Sequence, residues 1–255
     1  MIHATALVDA GAQLGRDVEI GPYAVVGPKV TIGDGTRMAA HAVIDCNARI
    51  GSGVQIGVGT VVGGPPQDLK YKGEETWVEI GDHTVVREYS TINRGSTATG
   101  KTSIGARCFL MTYVHVAHDC HIGNDVIIAN GVQMAGHVTI GDRANISGLT
   151  PIHQFCQIGT LAFVGGGSRV NQDVPPYVKA VGNPMQLYGL NSVGLQRAGF
   201  SPEVKLALKR AYRLLFNSDF TISQGIARAR AELPALPEIE TFLRFIETSQ
   251  RGVLV

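Results

Sequence analysis

Large aromatic side chains and charged side chains are both scarce in this chain. Phe, Trp and Tyr make up 6% of its 255 residues, and Asp, Glu, Lys and Arg make up 17%. Hydrophobic residues still reach 44%, which excludes a disordered chain and provides enough apolar surface for a substantial core. That core must be built from small and branched side chains, because few large rings are available to fill it.

Further absences exclude whole classes of protein. The formal net charge is only +1, which argues against a dedicated nucleic-acid-binding protein. No run of 18 apolar residues is present, so we expect no membrane span. The N-terminus lacks the basic and apolar regions of a secretory signal. The four cysteines show no CxxC spacing, and we therefore expect a cytoplasmic protein with reduced thiols.

What the sequence does contain is a six-residue repeat. Steps of six from Ile2 to Val170 reach 29 positions, and 26 of them hold Ile, Leu, Val or Met. An α-helix cannot produce this spacing, because its period is 3.6 residues. A three-sided parallel β-helix can, since each six-residue side places one aliphatic side chain inside and three sides form an 18-residue coil. The repeat therefore predicts a mainly β fold of this kind.

The repeat is interrupted twice and then replaced by a helical pattern. Residues from about 64 to 78 and from 93 to 102 are rich in Gly, Pro or charge, and should loop out of the coils. Ser201 followed by Pro202 is typical of a helix start, and helices are predicted over about 202–216, 221–233 and 237–250. We predict a β-helix domain over residues 1–190 and a small α-helical domain over residues 191–255.

The densest cluster of polar side chains lies in residues 113–123. His118 and Asp119 occupy non-core positions of the repeat, so their side chains should point outward. One or two 18-residue coils further on, the matching positions are Gly136, His137 and Gln154, with His153 alongside. An outward His beside an Asp is a usable general base, and an accessible Gly N–H can stabilise a developing oxyanion. The cluster predicts acyl transfer onto a hydroxyl or an amine.

Several motifs carry a resemblance to a known family. They are QDLKY at 67–71, HVAHDC at 115–120, AGHV at 135–138, HQFC at 153–156, QDVPPYV at 172–178 and GLQRAGFS at 194–201. Over essentially its whole length the chain resembles the hexapeptide-repeat acyltransferases, and within them the acyl-ACP:UDP-N-acetylglucosamine O-acyltransferases of lipid A biosynthesis. The resemblance implies left-handed coils, no cofactor or metal, and a homotrimer with active sites between subunits. It also implies transfer of a 3-hydroxyacyl group from acyl carrier protein to the 3-hydroxyl of UDP-N-acetylglucosamine.

The same resemblance implies roles for individual residues. His118 matches the general base, Asp119 its supporting carboxylate, and Gly136 the N–H donor to the oxyanion. Gly166 matches the position that limits acyl length, and a glycine there resembles the members that take longer chains. Positions that match substrate contacts are Gln67, Asp68, Lys70, His115, His137 and His153 for the sugar and phosphates, and Gln154, Asn191 and Arg197 for the nucleotide.

Two alternative functions stay open at the level of the sequence. One is an N-acyltransferase that acts on a 3-amino UDP-sugar. The other is a γ-carbonic-anhydrase-like metal enzyme in which His115, His118 and His137 bind zinc, although the supporting motifs of that family are not found. The basic residues of the first predicted helix, Lys205, Lys209, Arg210 and Arg213, form either a solvated face or a docking patch for an acidic carrier protein.

Overall fold

The computed structural model describes residues 1–254, within which it contains 26 β-strands and four α-helices. Strands β1 to β26, in chain order, are Leu7–Val8, Gln13–Leu14, Glu19–Ile20, Val25–Val26, Val30–Ile32, Arg37–Met38, Val43–Ile44, Ala48–Ile50, Gln55–Ile56, Val61–Gly64, Trp77–Ile80, Val85–Val86, Thr91–Asn93, Lys101–Ile104, Phe109–Leu110, His115–Val116, His121–Ile122, Ile127–Ile128, Gln133–Met134, Thr139–Ile140, Asn145–Ile146, Pro151–Ile152, Gln157–Ile158, Phe163–Val164, Val178–Gly182 and Met185–Leu190. Helices α1 to α4 are Ser192–Arg197, Pro202–Phe216, Ile222–Glu232 and Pro237–Thr248.

The first 24 strands form three parallel sheets, because every third strand joins the same sheet. One sheet runs from β1 to β22, the second from β2 to β23 and the third from β3 to β24. Where no insertion intervenes, paired residues are 18 apart, as in the pairing of Phe109 with Ile127. The predicted fold, a left-handed parallel β-helix with a small helical region at the C-terminal end, is confirmed.

The repeating aliphatic residues fill the interior of the coils. Ile44, Leu110, Ile128 and Ile146 are among those with no measurable exposure. Burying such a side chain stabilises the fold by roughly 1.5–3 kcal/mol, so a one-residue slip of register would be costly at every coil. The apolar stack is less complete at the first coil, where Ile2 remains 51% exposed.

Tight turns between the sides bring non-repeat residues to three corners of the β-helix. Residues 118–119, 136–137 and 154–155 share one corner, between the sheet of β16 and the sheet of β17; we call it the His corner. Asp119, His137 and Phe155 each adopt a left-handed backbone there, with φ of 61°, 62° and 65°. Each turn therefore projects its side chain from the same place, and successive coils stack these side chains into a column.

Both insertions leave the β-helix at the His corner. The first occupies residues 65–76, between β10 and β11, and the second occupies residues 94–100, between β13 and β14. Val78 pairs with Ala48 and Thr102 with Val78, so the ladder continues beneath each loop as predicted. The loops thus lie in the two coils that precede His118, at the corner that carries it.

The C-terminal helices agree closely with the sequence prediction. The Ser201 hydroxyl accepts a hydrogen bond from the Val204 N–H at the start of α2, and Thr221 forms a capping box with Gln224 at the start of α3. Two elements were not predicted from the sequence. They are the antiparallel pairing of β25 with β26, and the short helix α1 that follows it.

The end of the chain is fastened to the β-helix through a buried carboxylate. Asp173 is fully buried, and its side chain accepts hydrogen bonds from the Gln157 N–H at 2.7 Å and the Ser249 hydroxyl at 2.6 Å. The division into domains at residue 190 stays a prediction. Among residues 1–254, no helix is both long enough and apolar enough to cross a membrane.

Candidate active site

The His corner brings together the side chains that the 18-residue spacing placed in one column. His137 Nε2 lies 3.7 Å from Asp119 Oδ2. The His137 ring meets the His118 ring edge-on at 5.3 Å and stacks on Phe155 at 4.6 Å between centroids. The predicted neighbourhood of His118, Asp119 and His137 is therefore present in a single chain.

The orientation of His118 leaves one ring nitrogen free. Its Nδ1 lies 2.7 Å from Asp119 Oδ2, and the ionised carboxylate can only accept, so Nδ1 carries the proton and donates it. Nε2 is then the unprotonated nitrogen. An ideal Cβ built on Gly136 would lie 2.7 Å from Cε1 and 2.8 Å from Nε2, so this edge of the ring packs against the glycine. The arrangement places an unprotonated ring nitrogen directly against the bare Cα of a glycine.

Asp119 is held as a buried anion. Its side chain points out of the coil, as predicted, but has no exposure because the second insertion covers it. Burial alone would raise the pKa of Asp119, but hydrogen bonds from Ser96, Thr99 and His118 outweigh it and lower the pKa to about 2. At neutral pH the carboxylate is therefore ionised and able to stabilise an imidazolium on His118.

Gly136 offers a backbone donor beside that nitrogen. Its N–H makes no hydrogen bond to another group within residues 1–254, whereas its carbonyl accepts from the Phe155 N–H at 3.2 Å. The N–H has no partner in the described chain, but Gly136 is buried because the His118 ring packs against its Cα, which corrects the expectation of an accessible position. Donor and base therefore sit on adjacent coils, about one strand spacing of ~4.8 Å apart.

Other predicted site residues line the same corner. His115 Nδ1 lies 2.7 Å from the Thr91 hydroxyl oxygen, and burial, with a smaller effect from His118, lowers the pKa of His115. A low pKa favours the neutral ring, which can donate or accept a hydrogen bond. His153 and Gln154 are exposed two coils beyond His118, with His153 Nδ1 3.1 Å from the Gln154 carbonyl oxygen.

The three predicted residues of the first insertion are also at this corner. Gln67 and Lys70 are exposed and Asp68 is half-buried. The Asp68 carboxylate accepts a hydrogen bond from the Lys70 N–H at 2.9 Å, which stabilises the turn that carries both side chains. The insertion leaves the coil two turns before His118, an axial separation of roughly 10 Å at ~4.8 Å per coil.

Asn191 and Arg197 lie elsewhere. They line a groove of about 600 Å³ on the outer face of the sheet that contains β18, β21 and β24. Arg143 and Lys179 line the same groove, and sequence reasoning missed both of them. Asn191 caps α1, accepting from the Gly194 N–H at 3.0 Å and donating to the Leu161 carbonyl at 2.9 Å. Within one chain, the structure does not bring these residues to His118.

Gly166 occupies another corner, in one column with Gly148. It is exposed, and the nearest atoms to a Cβ there would be the Gly148 carbonyl oxygen, at 3.4 Å, and the Ser147 Cβ, at 3.7 Å. The residue is 48 positions from His118, which is two full coils and two sides. A side chain at position 166 would therefore project outward, on a different corner from the candidate base.

Two parts of the chain match known family profiles. A profile described as UDP N-acetylglucosamine O-acyltransferase, domain 2, matches residues 173–254. A profile for the bacterial transferase hexapeptide, six repeats, matches residues 11–46 and 101–136. Together, the coiled fold and the His corner define a hexapeptide-repeat acyltransferase.

Similar proteins narrow this class to one family. The acyl-(acyl-carrier-protein)–UDP-N-acetylglucosamine O-acyltransferase of Thermodesulfovibrio yellowstonii is 49% identical over 253 residues, covering 99% of this chain and 98% of the relative. That of Anaeromyxobacter dehalogenans is 48% identical with the same coverage. The crystal structure of the Bacteroides fragilis UDP-N-acetylglucosamine acyltransferase covers 100% of both chains with a TM-score of 0.98 and 43% identity. The chain belongs to the acyl-ACP:UDP-N-acetylglucosamine O-acyltransferase family.

Proposed function

We propose that this enzyme transfers a 3-hydroxyacyl group from acyl carrier protein to the 3-hydroxyl of UDP-N-acetylglucosamine, the first step of lipid A biosynthesis. The arrangement of His118, Asp119 and Gly136 is the observation that carries the mechanism. Membership of the family supports the two substrates.

In the proposed reaction, His118 Nε2 removes the proton from the sugar hydroxyl as its oxygen attacks the thioester carbonyl carbon. The Gly136 N–H donates to the oxyanion of the tetrahedral intermediate, and Asp119 stabilises the imidazolium on His118. The intermediate collapses, the carbon–sulfur bond breaks, and His118 returns its proton to the departing thiolate of the carrier. The products are the ester and the free carrier thiol, and the base is regenerated.

The direct test is an acyl-transfer assay with purified protein. It crosses a panel of 3-hydroxyacyl carrier proteins with UDP-N-acetylglucosamine and with its 3-amino analogue. Turnover of the hydroxyl acceptor supports the proposal, and turnover of the amino analogue alone would contradict it. Curated relatives at 42–49% identity are named O-acyltransferases, which favours the hydroxyl over the N-acyltransferase alternative.

The metal-enzyme alternative finds less support in the geometry. In residues 1–254, the side chains close enough to share an ion are His118, Asp119 and His137, rather than the three histidines of a zinc triad. His115 instead faces Thr91. The relatives at 42–49% identity are also named as acyltransferases.

For the substrates, we assign the exposed and half-buried polar groups of the His corner to the sugar and phosphates. These are Gln67, Asp68, Lys70, His115, His137 and His153. We assign Gln154 from this corner, and Asn191 and Arg197 from the groove, to the nucleotide. Three cationic side chains, those of Arg143, Lys179 and Arg197, line the groove with one carboxylate, Asp125, which is paired with Arg107; the excess of positive charge suits a phosphorylated ligand.

We also propose a homotrimer, because no single chain joins these surfaces. The His corner, the groove of Arg197 and the corner of Gly166 face different directions, and side-by-side association of β-helices would let one subunit complete the site of its neighbour.

Sedimentation should give three times the chain mass of 27.1 kDa. Refolding a mixture of the inactive variants His118→Ala and Arg197→Ala should restore activity, since some interfaces would receive both intact residues. A monomeric mass, or no recovery on mixing, would contradict the proposal.

For the carrier protein, we propose docking on the basic face of α2. Lys209, Arg210 and Arg213 are exposed, and none of them forms an ion pair within the described chain. Unpaired cations suit an acidic partner.

We further propose a cytoplasmic location, because all four cysteines are free thiols and three are buried.

Gly166 is proposed to limit the length of the acyl chain. It lies roughly 13 Å from His118 along the axis, at ~4.8 Å per coil. In the proposed trimer, the acyl chain would lie between the Gly166 corner of one subunit and the His corner of its neighbour. Gly166→Met should lower the turnover of a fourteen-carbon donor relative to a ten-carbon donor by about tenfold or more, by steric exclusion. Competition between the two donors measures the ratio. If the ratio stays at the wild-type value, Gly166 is not the limiting position.

A further inference from the structure

The second insertion, residues 94–100, covers the buried side of Asp119. Asp119 Oδ1 accepts a hydrogen bond from the Ser96 N–H at 2.9 Å and another from the Thr99 hydroxyl. The other oxygen, Oδ2, faces His118 Nδ1 at 2.7 Å and His137 Nε2 at 3.7 Å. The two oxygens of one carboxylate are therefore divided between the insertion and the histidines.

We propose that this insertion is a positioning clamp for the base, and that Thr99 acts on catalysis through Asp119; the proposal rests on the acyl transfer proposed above. Two donors on Oδ1 fix the rotation of the carboxylate about its terminal bond. Oδ2 is thereby aimed at His118, and the imidazole is held in the tautomer with Nε2 free. Without the hydroxyl, one lone pair of a buried anion loses its donor, and the carboxylate can turn away from His118.

The Thr99 hydroxyl has two possible acceptors, and their chemistry supports a hydrogen bond to Asp119. The Thr99 oxygen also lies 2.9 Å from the Lys101 carbonyl, but its single proton can be committed fully to only one acceptor. An ionised carboxylate forms the stronger, charge-assisted bond. Asp119 is ionised at neutral pH, since the pKa of this carboxyl is held at about 2. The hydroxyl therefore donates to Asp119.

The insertion is itself anchored, so the clamp is preorganised. Arg94, at its start, is 12% exposed and donates to the Gly63 carbonyl at 2.6 Å and to the Tyr71 hydroxyl at 3.1 Å. Gly95 passes so close to Lys101 that a side chain at position 95 would collide with the Lys101 backbone. Because Tyr71 belongs to the first insertion, Arg94 also ties the loop carrying Asp68 to the loop that clamps Asp119.

Thr99→Val tests the role, because it removes the hydroxyl and nearly keeps the shape. Thr99 is an exposed residue, so the fold should tolerate the change. We expect kcat to fall about tenfold with little change in KM for either substrate, and Thr99→Ser to restore most of the rate. The matched control is Thr97→Val, the same change at an exposed residue two positions earlier in the loop, which should leave kcat unchanged.

A double-mutant cycle separates positioning from a general effect on the loop. In an Asp119→Ala background the insertion has no carboxylate to position, so Thr99→Val should lower kcat no further. An equal loss in both backgrounds, or wild-type kcat in the single variant, would overturn the clamp. Absence of acyl transfer by the wild-type enzyme would instead overturn the proposed function, so the two failures are distinguishable.

Discussion

His118→Ala is expected to lower kcat for acyl transfer by about 10²–10⁴-fold, the usual contribution of a general base. The loss should come from the chemical step, because Nδ1 is bound to Asp119 and Nε2, which lies beside Gly136, is the ring nitrogen left free to accept a proton. The imidazole lies outside the aliphatic core, so its removal leaves no apolar cavity. The thermal unfolding midpoint should therefore change little.

The matched control for this experiment is His121→Ala. His121 lies three residues further along the chain, is exposed, and pairs with the Ser103 hydroxyl at 2.7 Å on a different face of the coil. It should retain wild-type kcat. Asp119→Ala should cost less than His118→Ala, because Asp119 acts through the base. Retention of more than half the activity by His118→Ala would remove it from the mechanism.

The fold could be predicted because its core repeats a single physical requirement. Each side of each coil needs one aliphatic residue, so Ile104, Leu110 and Val116 are separated by six residues and can be recognised without knowledge of tertiary contacts. The β25–β26 hairpin could not be predicted in this way. It pairs Lys179 with Phe163 at a spacing of 16 residues, which breaks the periodicity on which the prediction depended.

The site could be predicted only where the coil spacing is constant. From Asp119 to His137 the chain advances one coil, and arithmetic alone places the two side chains together. The contact between Asp119 and Thr99 spans 20 residues and passes through an insertion whose path no spacing rule describes. The Arg197 groove could not be predicted either. One of its walls is helix α1, and no spacing rule gives the position of that helix against the sheet.

The second large effect is expected for Gly136→Ala. An alanine Cβ would lie 2.7 Å from Cε1 and 2.8 Å from Nε2 of His118, closer than such atoms can approach. The tip of the imidazole must move, since the backbone of the coil cannot. The equivalent positions in the adjacent coils hold His118 and Gln154, so the turn itself accepts a side chain, and its φ is not in the left-handed region.

Gly136→Ala should therefore leave stability nearly unchanged while lowering kcat by about 10²-fold, the loss that a misplacement of roughly 1 Å can cause. The alanine keeps its N–H, so the oxyanion donor remains and the loss reports on the displaced base. Gly11→Ala is the control, because it lies at the same corner near the start of the β-helix, where a Cβ meets only the Asp9 carboxylate at 3.2 Å. Steady-state kinetics and thermal unfolding of both variants measure the effect. If Gly136→Ala keeps wild-type kcat, His118 does not act from its position above this glycine, and the geometry of the proposed mechanism is wrong.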